Sequence, residues 1–218
     1  MATSVYVDGF NFYYGAVRNT SYKWLNFQAL SVALLPGHTI NRIRYFTARP
    51  KGLPNDPNVH TRHDLYLRAL RTLPNLDIHL GRFADREAVL PQFPFAYHNN
   101  ANPAKHPPLM VKVKKSEEKR SDVNLATHLL LDCFNNEFDT AVVISNDADI
   151  VEPIKVVRQR FNKQVIVINP QRTSNVTHEL KQAATSFMQR INTKHLANSQ
   201  FPSTLSDGIG QFTKPPTW

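Results

Sequence analysis

Cysteine is almost absent from this sequence, which contains Cys133 alone. A single thiol excludes an internal disulfide and favours a reducing compartment. The sequence also lacks a basic N-terminal segment followed by an apolar stretch of signal-peptide length. Its apolar runs fall short of the ~18 residues that a membrane span requires. We therefore expect a soluble, cytoplasmic protein without a membrane partner.

Acidic residues are scarce in this chain. It has 17 Asp and Glu against 26 Lys and Arg, and its net charge is +9. The basic residues are spread along the chain and do not form a charged tail. Such a surplus favours an anionic partner such as nucleic acid over an acidic protein or a neutral metabolite.

Short apolar runs alternate with segments of helical spacing. Unalternating β-branched runs are typical of strands buried on both faces, and strands that alternate with helices predict a parallel sheet. We expect a Rossmann-like α/β fold whose central, mainly parallel sheet is flanked by helices on both faces. The predicted strands are Ser4–Asp8, Ile40–Ala48, Leu76–Phe83, the run from Ala141 to Asp147, and Val165–Ile168. The predicted helices are Phe10–Val17, Asn26–Leu35, Val59–Leu73, one that Ser121 caps, Glu152–Phe161 and His178–Ile191.

The 218 residues are enough for one domain with additions. We assign residues 1–192 to this domain. Residues 193–218 turn to Ser, Thr, Pro and Gly with scattered aromatics, and we expect a C-terminal tail that packs on the domain. Residues 84–120 are expected to form an insertion within it.

The predicted insertion begins with a proline-rich loop, Ala84–Pro108, and continues as a half-exposed strand at Leu109–Lys115, where apolar and basic residues alternate. A loop this long inside a compact domain is usually functional or mobile. Its aromatic side chains would either stack on nucleic-acid bases or pack on the body, and the sequence leaves both open. These side chains are Phe93, Phe95 and Tyr97.

Carboxylates follow two of the predicted strands and open one helix. Asp8 ends the first strand, Asp147 and Asp149 end a later one, and Asp122 lies in the first turn of the intervening helix. In open α/β sheets the carboxyl ends of the strands form the edge where ligands bind, so we expect all four carboxylates there. Taken singly, each acid is also explained as a helix cap or as a favourable charge in a first helical turn.

Four carboxylates that converge in a basic chain predict a site for a hard cation on a polyanion-binding surface. Carboxylates held close together repel each other unless a cation or a proton intervenes. Ligand sets made of oxygen alone suit Mg²⁺ or Mn²⁺, which also bind substrate phosphates. Arg49 and Lys51 follow the second predicted strand and would either contact phosphates at this edge or remain surface charges.

Three segments resemble the signature blocks of the NYN domain family, PIN-like nucleases that include the LabA-like bacterial proteins. They are Tyr6–Gly15, Glu118–Ala126 and Ser145–Ile150. The resemblance runs in order from about Val5 to Pro170, and the C-terminal tail is also similar to that of bacterial members. The set of motifs is specific, whereas each motif alone is weak.

The resemblance assigns roles residue by residue. The family's first aspartate falls on Asp8, its helix-start aspartate on Asp122, and its asparagine after the first acid on Asn11. Its last acidic pair falls on Asp147 and Asp149. Asn146 and Arg120 stand where family members often carry glycine; neither change removes a ligand, and we expect Arg120 to alter access to the site.

The activity that the resemblance implies is metal-dependent hydrolysis of phosphodiester bonds in single-stranded RNA, with an endoribonuclease as the expected form. Asp8, Asp122, Asp147 and Asp149 would hold Mg²⁺ or Mn²⁺, and Asn11 would act with them. Asn11 and Ser145 would support the carboxylates by hydrogen bonding. The candidates to hold the RNA backbone are Arg49, Lys51, Lys112, Lys114, Lys119 and Arg120.

Two other interpretations stay open. The chain would fit an RNA-binding or regulatory module whose PIN-like pocket is weak or inactive, acting through a protein partner or as a homodimer. The segment Asp147–Val151 also fits the Asp-x-Asp-x-Val pattern of haloacid-dehalogenase phosphatases, in which the first aspartate is a nucleophile. That motif normally follows the first strand, and it leaves Asp8 without a role.

Overall fold

The central sheet has six strands that are all parallel. The computed structural model describes residues 2–52, 56–98, 102–104, 106–171 and 177–218. The sheet strands are β1 (Ala2–Asp8), β2 (Thr39–Thr47), β3 (Leu76–Leu80), β6 (Thr140–Ile144), β7 (Gln164–Ile168) and β8 (Ser186–Met188). Their spatial order is β3-β2-β1-β6-β7-β8, and every pair of neighbours is parallel. This confirms the predicted α/β fold with a parallel central sheet.

Helices cover the sheet on both faces. They are α1 (Gly9–Phe12), which continues as a π-helical turn (Tyr13–Val17), α2 (Phe27–Leu34), α3 (Val59–Leu70), α4 (Ser121–Phe134), α5 (Val151–Arg160), α6 (His178–Ala183) and α7 (Thr193–Asn198). Because side chains alternate along a strand, Val5 and Val7 of β1 join the core beneath α2 and α3. Tyr6 between them joins the core beneath α4, α5 and α6.

The chain order places a topological switch point at the centre of the sheet. From β1 the chain adds β2 and β3 on one side, and from β6 it adds β7 and β8 on the other. The two central strands are buried on both faces, which explains their unalternating apolar sequences. Connections that leave adjacent strands in opposite directions open a crevice at the strands' carboxyl ends, where α/β proteins bind ligands.

The predicted edge strand is present, and the first part of the predicted long loop pairs with it as an antiparallel ribbon. The ribbon consists of β4 (Arg82–Pro91) and β5 (Met110–Lys119), paired from Arg82 with Lys119 to Pro91 with Met110. The loop prediction for residues 84–91 was wrong because both faces of β4 are largely exposed. The sequence of this strand therefore shows no alternation of apolar and polar residues, and its pairing with β5 is what stabilises it. Asn99 and Asn100, predicted within the loop, lie outside the described residues.

The helix predicted at His178–Ile191 was also wrong beyond Ala183. After α6 the chain joins the sheet as β8, because the backbone N–H of Thr185 donates to Val165 O at 2.8 Å and the Thr185 hydroxyl accepts from Val165 N–H at 3.1 Å. Pairing with β7 thus takes precedence over helix continuation. Ser121 is the first residue of α4 and not its cap.

The last 26 residues, 193–218, contain α7 and a hairpin of β9 (Thr204–Asp207) and β10 (Gly210–Thr213). Trp24 contacts Phe201, Phe212 and Trp218 with ring centroids 6.0 to 6.4 Å apart, and its indole N–H donates to Pro202 O. Among the described residues, no helix combines the length and apolar composition needed to cross a bilayer.

Candidate functional site

Asp8 is the last residue of β1 and lies at the switch point. Only 5% of it is exposed. One carboxylate oxygen, Oδ1, accepts the backbone N–H of Asn11 at 3.0 Å, and the other, Oδ2, accepts the Ser145 hydroxyl at 2.8 Å. Asp8 thus caps α1 and is joined to the residue that follows β6. Asp8 is therefore both a helix cap and a carboxylate at a strand end, the two positions that the sequence suggested.

The end of β6 is held by the same pair of supporting residues. The Ser145 hydroxyl oxygen accepts the Asp147 backbone N–H at 3.1 Å. The side-chain oxygen of Asn11 accepts the Asn146 backbone N–H at 3.0 Å. The two predicted supports therefore orient the segment that carries Asp147, in addition to Asp8.

Asp122 reaches the site from the start of α4. Arg120 adopts a left-handed conformation with φ of 86°, which turns the chain from β5 into the helix. The Glu118 carboxylate then accepts the hydroxyl of Ser121 at 2.7 Å and its backbone N–H at 3.2 Å. Glu118 satisfies a donor that a helix start leaves open. The turn that joins the end of β5 to α4 therefore places the side chain of Asp122 in the site.

Asp8, Asp122 and Asp147 form one acid cluster. Each offers an oxygen, and these oxygens all lie within 4.8 Å of one another. Asp149 lies in a short 3₁₀ turn (Ala148–Ile150), where its side chain is exposed and its backbone N–H donates to Asp147 Oδ1 at 3.0 Å. The structure thus gathers three of the four predicted ligands and places Asp149 outside the cluster.

The protonation of the cluster reflects its burial and crowding. The pKa of Asp8 is raised to about 6, chiefly by burial; the charges of Asp147 and Glu118 add to the increase, and the two hydrogen bonds that Asp8 accepts oppose it. Burial also raises the pKa of Asp122 to about 6, with added repulsion from the neighbouring acids. Asp149 is among those acids, so its charge acts on the cluster from outside.

The donor set fits a hard divalent cation. Burial and neighbouring acids disfavour the charged forms of Asp8 and Asp122, and a cation that shares the space of the three carboxylates stabilises those charged forms. Oxygen donors alone are the ligands that Mg²⁺ and Mn²⁺ prefer. Within the part of the chain that the structure describes, the acid cluster is therefore suited to hold such an ion.

The acid cluster lies in a cleft of about 290 Å³. Aromatic side chains that the sequence analysis did not assign to the site also line this cleft. The lining residues are Asp8, Phe10, Asn11, Tyr14, Gly15, Glu118, Asp122, Asp147 and Gln171. Glu118 could have been suspected, because it is an acid three residues before a predicted helix start. Phe10 and Tyr14 carry the four-residue spacing of one helical face, which was the available signal.

None of the six predicted backbone-binding residues is among the described residues that line this cleft. Five of them pair with acids at the surface: Arg49 with Asp64, Lys51 and Lys114 with Asp85, Lys112 with Glu87, and Lys119 with Glu117. Arg120 makes the turn into α4 described above. On the ribbon, Lys112 and Lys114 share their face with Glu118, because alternate residues of a strand face the same way.

A larger cleft, of about 440 Å³, lies at the opposite edge of the sheet. Its lining includes Arg158, Lys163 and Thr185 beside Gln164, the first residue of β7. The guanidinium of Arg158 is already donating to three backbone carbonyls there. Cleft size therefore does not identify the site, whereas the grouping of carboxylates at the switch point does.

The fold and this site define the chain as a Rossmann-like α/β protein with an acid cluster at the carboxyl edge of its parallel sheet. The chain belongs to the NYN domain family, which matches residues 2–192 and confirms the resemblance of the three sequence segments. This family has a nuclease-like fold.

A curated relative and a solved structure illustrate what the chain is similar to. The 6-hydroxy-3-succinoylpyridine 3-monooxygenase HspA of Pseudomonas putida (strain DSM 28022 / S16) is 30% identical over 241 aligned residues, which cover 100% of this chain and 75% of that protein. A solved structure of a protein of unknown function from Vibrio parahaemolyticus RIMD 2210633 matches with a TM-score of 0.53 and 15% identity. It covers 92% of this chain and 96% of the other, and it supports the fold alone.

Proposed function

We propose that this protein is a metal-dependent ribonuclease that hydrolyses phosphodiester bonds of single-stranded RNA. The observation that carries the proposal is the acid cluster, whose three oxygens lie within 4.8 Å of one another at the switch point of the sheet. Membership of a family with a nuclease-like fold and the net charge of +9 support an anionic polymer as substrate.

In this proposal Asp8, Asp122 and Asp147 hold Mg²⁺ or Mn²⁺, and Asp149 adds negative charge beside them. A bound ion of this kind neutralises phosphate charge and lowers the pKa of water, which supplies a nucleophile near neutral pH. The chain's own contribution is to fix the carboxylates. Ser145 and Asn11 hold Asp8 and the end of β6 in one arrangement, so the acids need not reorganise when phosphate arrives.

The basic residues would bind the RNA backbone outside the cleft. Arg49, Lys51, Lys112, Lys114 and Lys119 are paired with acids at the surface, and such pairs contribute little to stability because water and salt screen them. Exchanging these partners for phosphates therefore costs little. Arg120 would join them at the turn into α4.

The direct test is cleavage of labelled single-stranded RNA with Mn²⁺, with EDTA, and with Asp8→Asn, Asp122→Asn and Asp147→Asn. Asp77→Asn is a matched control, since it makes the same change at an exposed aspartate near the amino end of β3. We expect cleavage that needs Mn²⁺, persists in the control and is lost in the other three variants. Full activity of Asp147→Asn would refute the proposal.

Other outcomes of this assay would favour the alternatives. RNA that binds but stays intact in every lane would favour the regulatory module, with the homodimer or protein partner as its working form. An aspartyl-phosphate trapped on Asp147 would favour the phosphatase, although that mechanism assigns no role to Asp8 or Asp122. The cytoplasmic location stays a prediction and is tested by localising a tagged chain.

The monooxygenase relative supports a second candidate function, because the similarity extends over all of this chain. The chain would then oxidise 6-hydroxy-3-succinoylpyridine or a compound like it. Consumption of this compound, followed by mass spectrometry in the presence of oxygen and an electron donor, is the test. Turnover of the compound combined with intact RNA would replace the nuclease proposal.

A further inference from the structure

The cleft that holds the acid cluster has an aromatic wall, which is apolar where the acids are charged. Phe10 and Tyr14 both line the cleft. Their rings are stacked, with centroids 6.4 Å apart and planes inclined by 23°. A wall of this kind recognises flat apolar surfaces, whereas a cation-binding site alone needs only oxygen donors.

Helical spacing explains why this wall faces the acids. Tyr14 follows Asn11 by three residues and Phe10 by four along α1 and the π-helical turn, so its side chain lies on the same side of the helix as both. Asn11 is tied to both Asp8 and Asn146 on that face. The backbone N–H of Arg18 donates to Tyr13 O at 2.8 Å, which is the five-residue hydrogen bond of a π turn. This irregular turn sets where Tyr14 points.

Neighbouring side chains support Tyr14 and cover part of its ring. Its ring is in edge contact with Tyr13 at 5.3 Å between centroids, and the guanidinium carbon of Arg18 lies 5.1 Å from its centroid. Phe10 is fixed in turn by Phe83 of the ribbon, in an edge contact at 5.6 Å. Even so, 60% of Tyr14 is exposed. The neighbours hold the ring in place and leave much of its surface open to a ligand.

We propose that Tyr14 is a stacking platform for the base of a nucleotide that adjoins the phosphate held at the acid cluster, with the Arg18 guanidinium moving off the ring to admit the base and stacking on its other face. This inference rests on the proposed nuclease function for the position of the phosphate. The cleft of about 290 Å³ has room for about one such group. Aromatic rings and guanidinium planes both stack on nucleobases without selecting a sequence.

The platform selects the class of substrate. A base in a duplex has its faces covered by its neighbours, so only an unpaired and unstacked nucleotide can present a face to Tyr14. The chain would therefore act on single-stranded segments, loops and ends, with little sequence preference. The requirement for an unpaired base comes from stacking on Tyr14 and does not depend on the chemistry at the acid cluster.

The test measures binding and stacking apart from cleavage. The probe is a short single-stranded RNA that contains 2-aminopurine, whose fluorescence falls when it stacks, with Ca²⁺ in place of Mn²⁺. Tyr14→Ala should bind about 5- to 100-fold more weakly and lose the quenching. Tyr14→Phe and Tyr14→Trp should retain both. Phe134→Ala is the matched control, because it removes an aromatic ring that is 74% exposed at the far end of α4.

The outcomes separate this inference from the nuclease proposal. Tyr14-dependent quenching without cleavage in Mn²⁺ would support the platform and refute the nuclease. Cleavage in Mn²⁺ by a Tyr14→Ala variant that binds and quenches like the parent would refute the platform alone. Absence of RNA binding, or equal affinity for a blunt duplex, would also refute it. Finally, the platform would be refuted if the protein bound 6-hydroxy-3-succinoylpyridine through Tyr14 and did not bind the oligonucleotide.

Discussion

The Ser145 hydroxyl donates to Asp8 Oδ2 at 2.8 Å and accepts the backbone N–H of Asp147, so one buried oxygen links the carboxylate that ends β1 to the backbone of the acid that follows β6. Asp8 and Ser145 are 137 residues apart in the chain. The acids are thus fixed relative to each other by a contact that involves no cation. Substitutions at this contact, at the neighbouring acids and on the ribbon give four predictions.

Ser145→Ala should lower the affinity for Mn²⁺ while all three acids of the cluster remain present. We expect Mn²⁺ affinity and cleavage to fall by about 10-fold or more, as when residues that orient metal ligands are removed. The free energy of unfolding should fall by about 1–2 kcal/mol, because the buried Asp8 carboxylate loses a donor. Isothermal titration with Mn²⁺ and urea unfolding measure the two effects. Ser31→Ala is the control, since in the described structure the Ser31 hydroxyl is buried without a hydrogen-bond partner.

Asp8→Asn should change how stability depends on pH. The folded-state pKa of Asp8 is raised from 3.8 to about 6, so its stabilising contribution is full below pH 4 and is lost as pH rises through 6. Asparagine does not titrate. In EDTA, the unfolding free energy of the variant minus that of the parent should therefore rise by up to about 3 kcal/mol between pH 4 and pH 7. A difference that stays flat in urea titrations across this range would contradict the assigned pKa.

Asp147→Asn and Asp149→Asn should differ in severity. Asp147 belongs to the acid cluster, whereas Asp149 acts on it from an exposed position. We expect cleavage to fall by more than about 100-fold in the first variant and by about 10-fold or less in the second. Initial rates at saturating Mn²⁺ measure this, and equal losses would place Asp149 among the ligands after all.

Lys112→Gln combined with Lys114→Gln should weaken RNA binding most at low salt. Each lysine that contacts a phosphate of a single strand contributes about 0.7 to the slope of log K against log salt, so the double variant should lower the slope by about 1 to 1.5. Anisotropy titrations at several salt concentrations provide the measurement. Lys163→Gln with Lys194→Gln removes the same charge elsewhere, just before β7 and on α7, and should leave the slope unchanged.

The sequence predicted those parts of the fold and site that depend on burial. β1 and β6 were recognisable because both of their faces are buried, and the acids that end them could be assigned to one edge from topology. β4 was missed because neither face is well buried, and β8 because a hydrogen bond to β7 outweighs its helical pattern. The exclusion of Asp149 depends on a single 3₁₀ turn, which spacing does not reveal.

The placement of β1 beside β6 has a consequence for how the protein folds. Their pairing joins residues more than a hundred positions apart, as in Val5 with Val142, and such distant pairings form slowly because a long loop must close first. Helices α2 to α5 can form locally long before that closure. Recovery of cation binding after dilution from denaturant should therefore lag behind recovery of helical signal, and the acid cluster reports on the completion of folding.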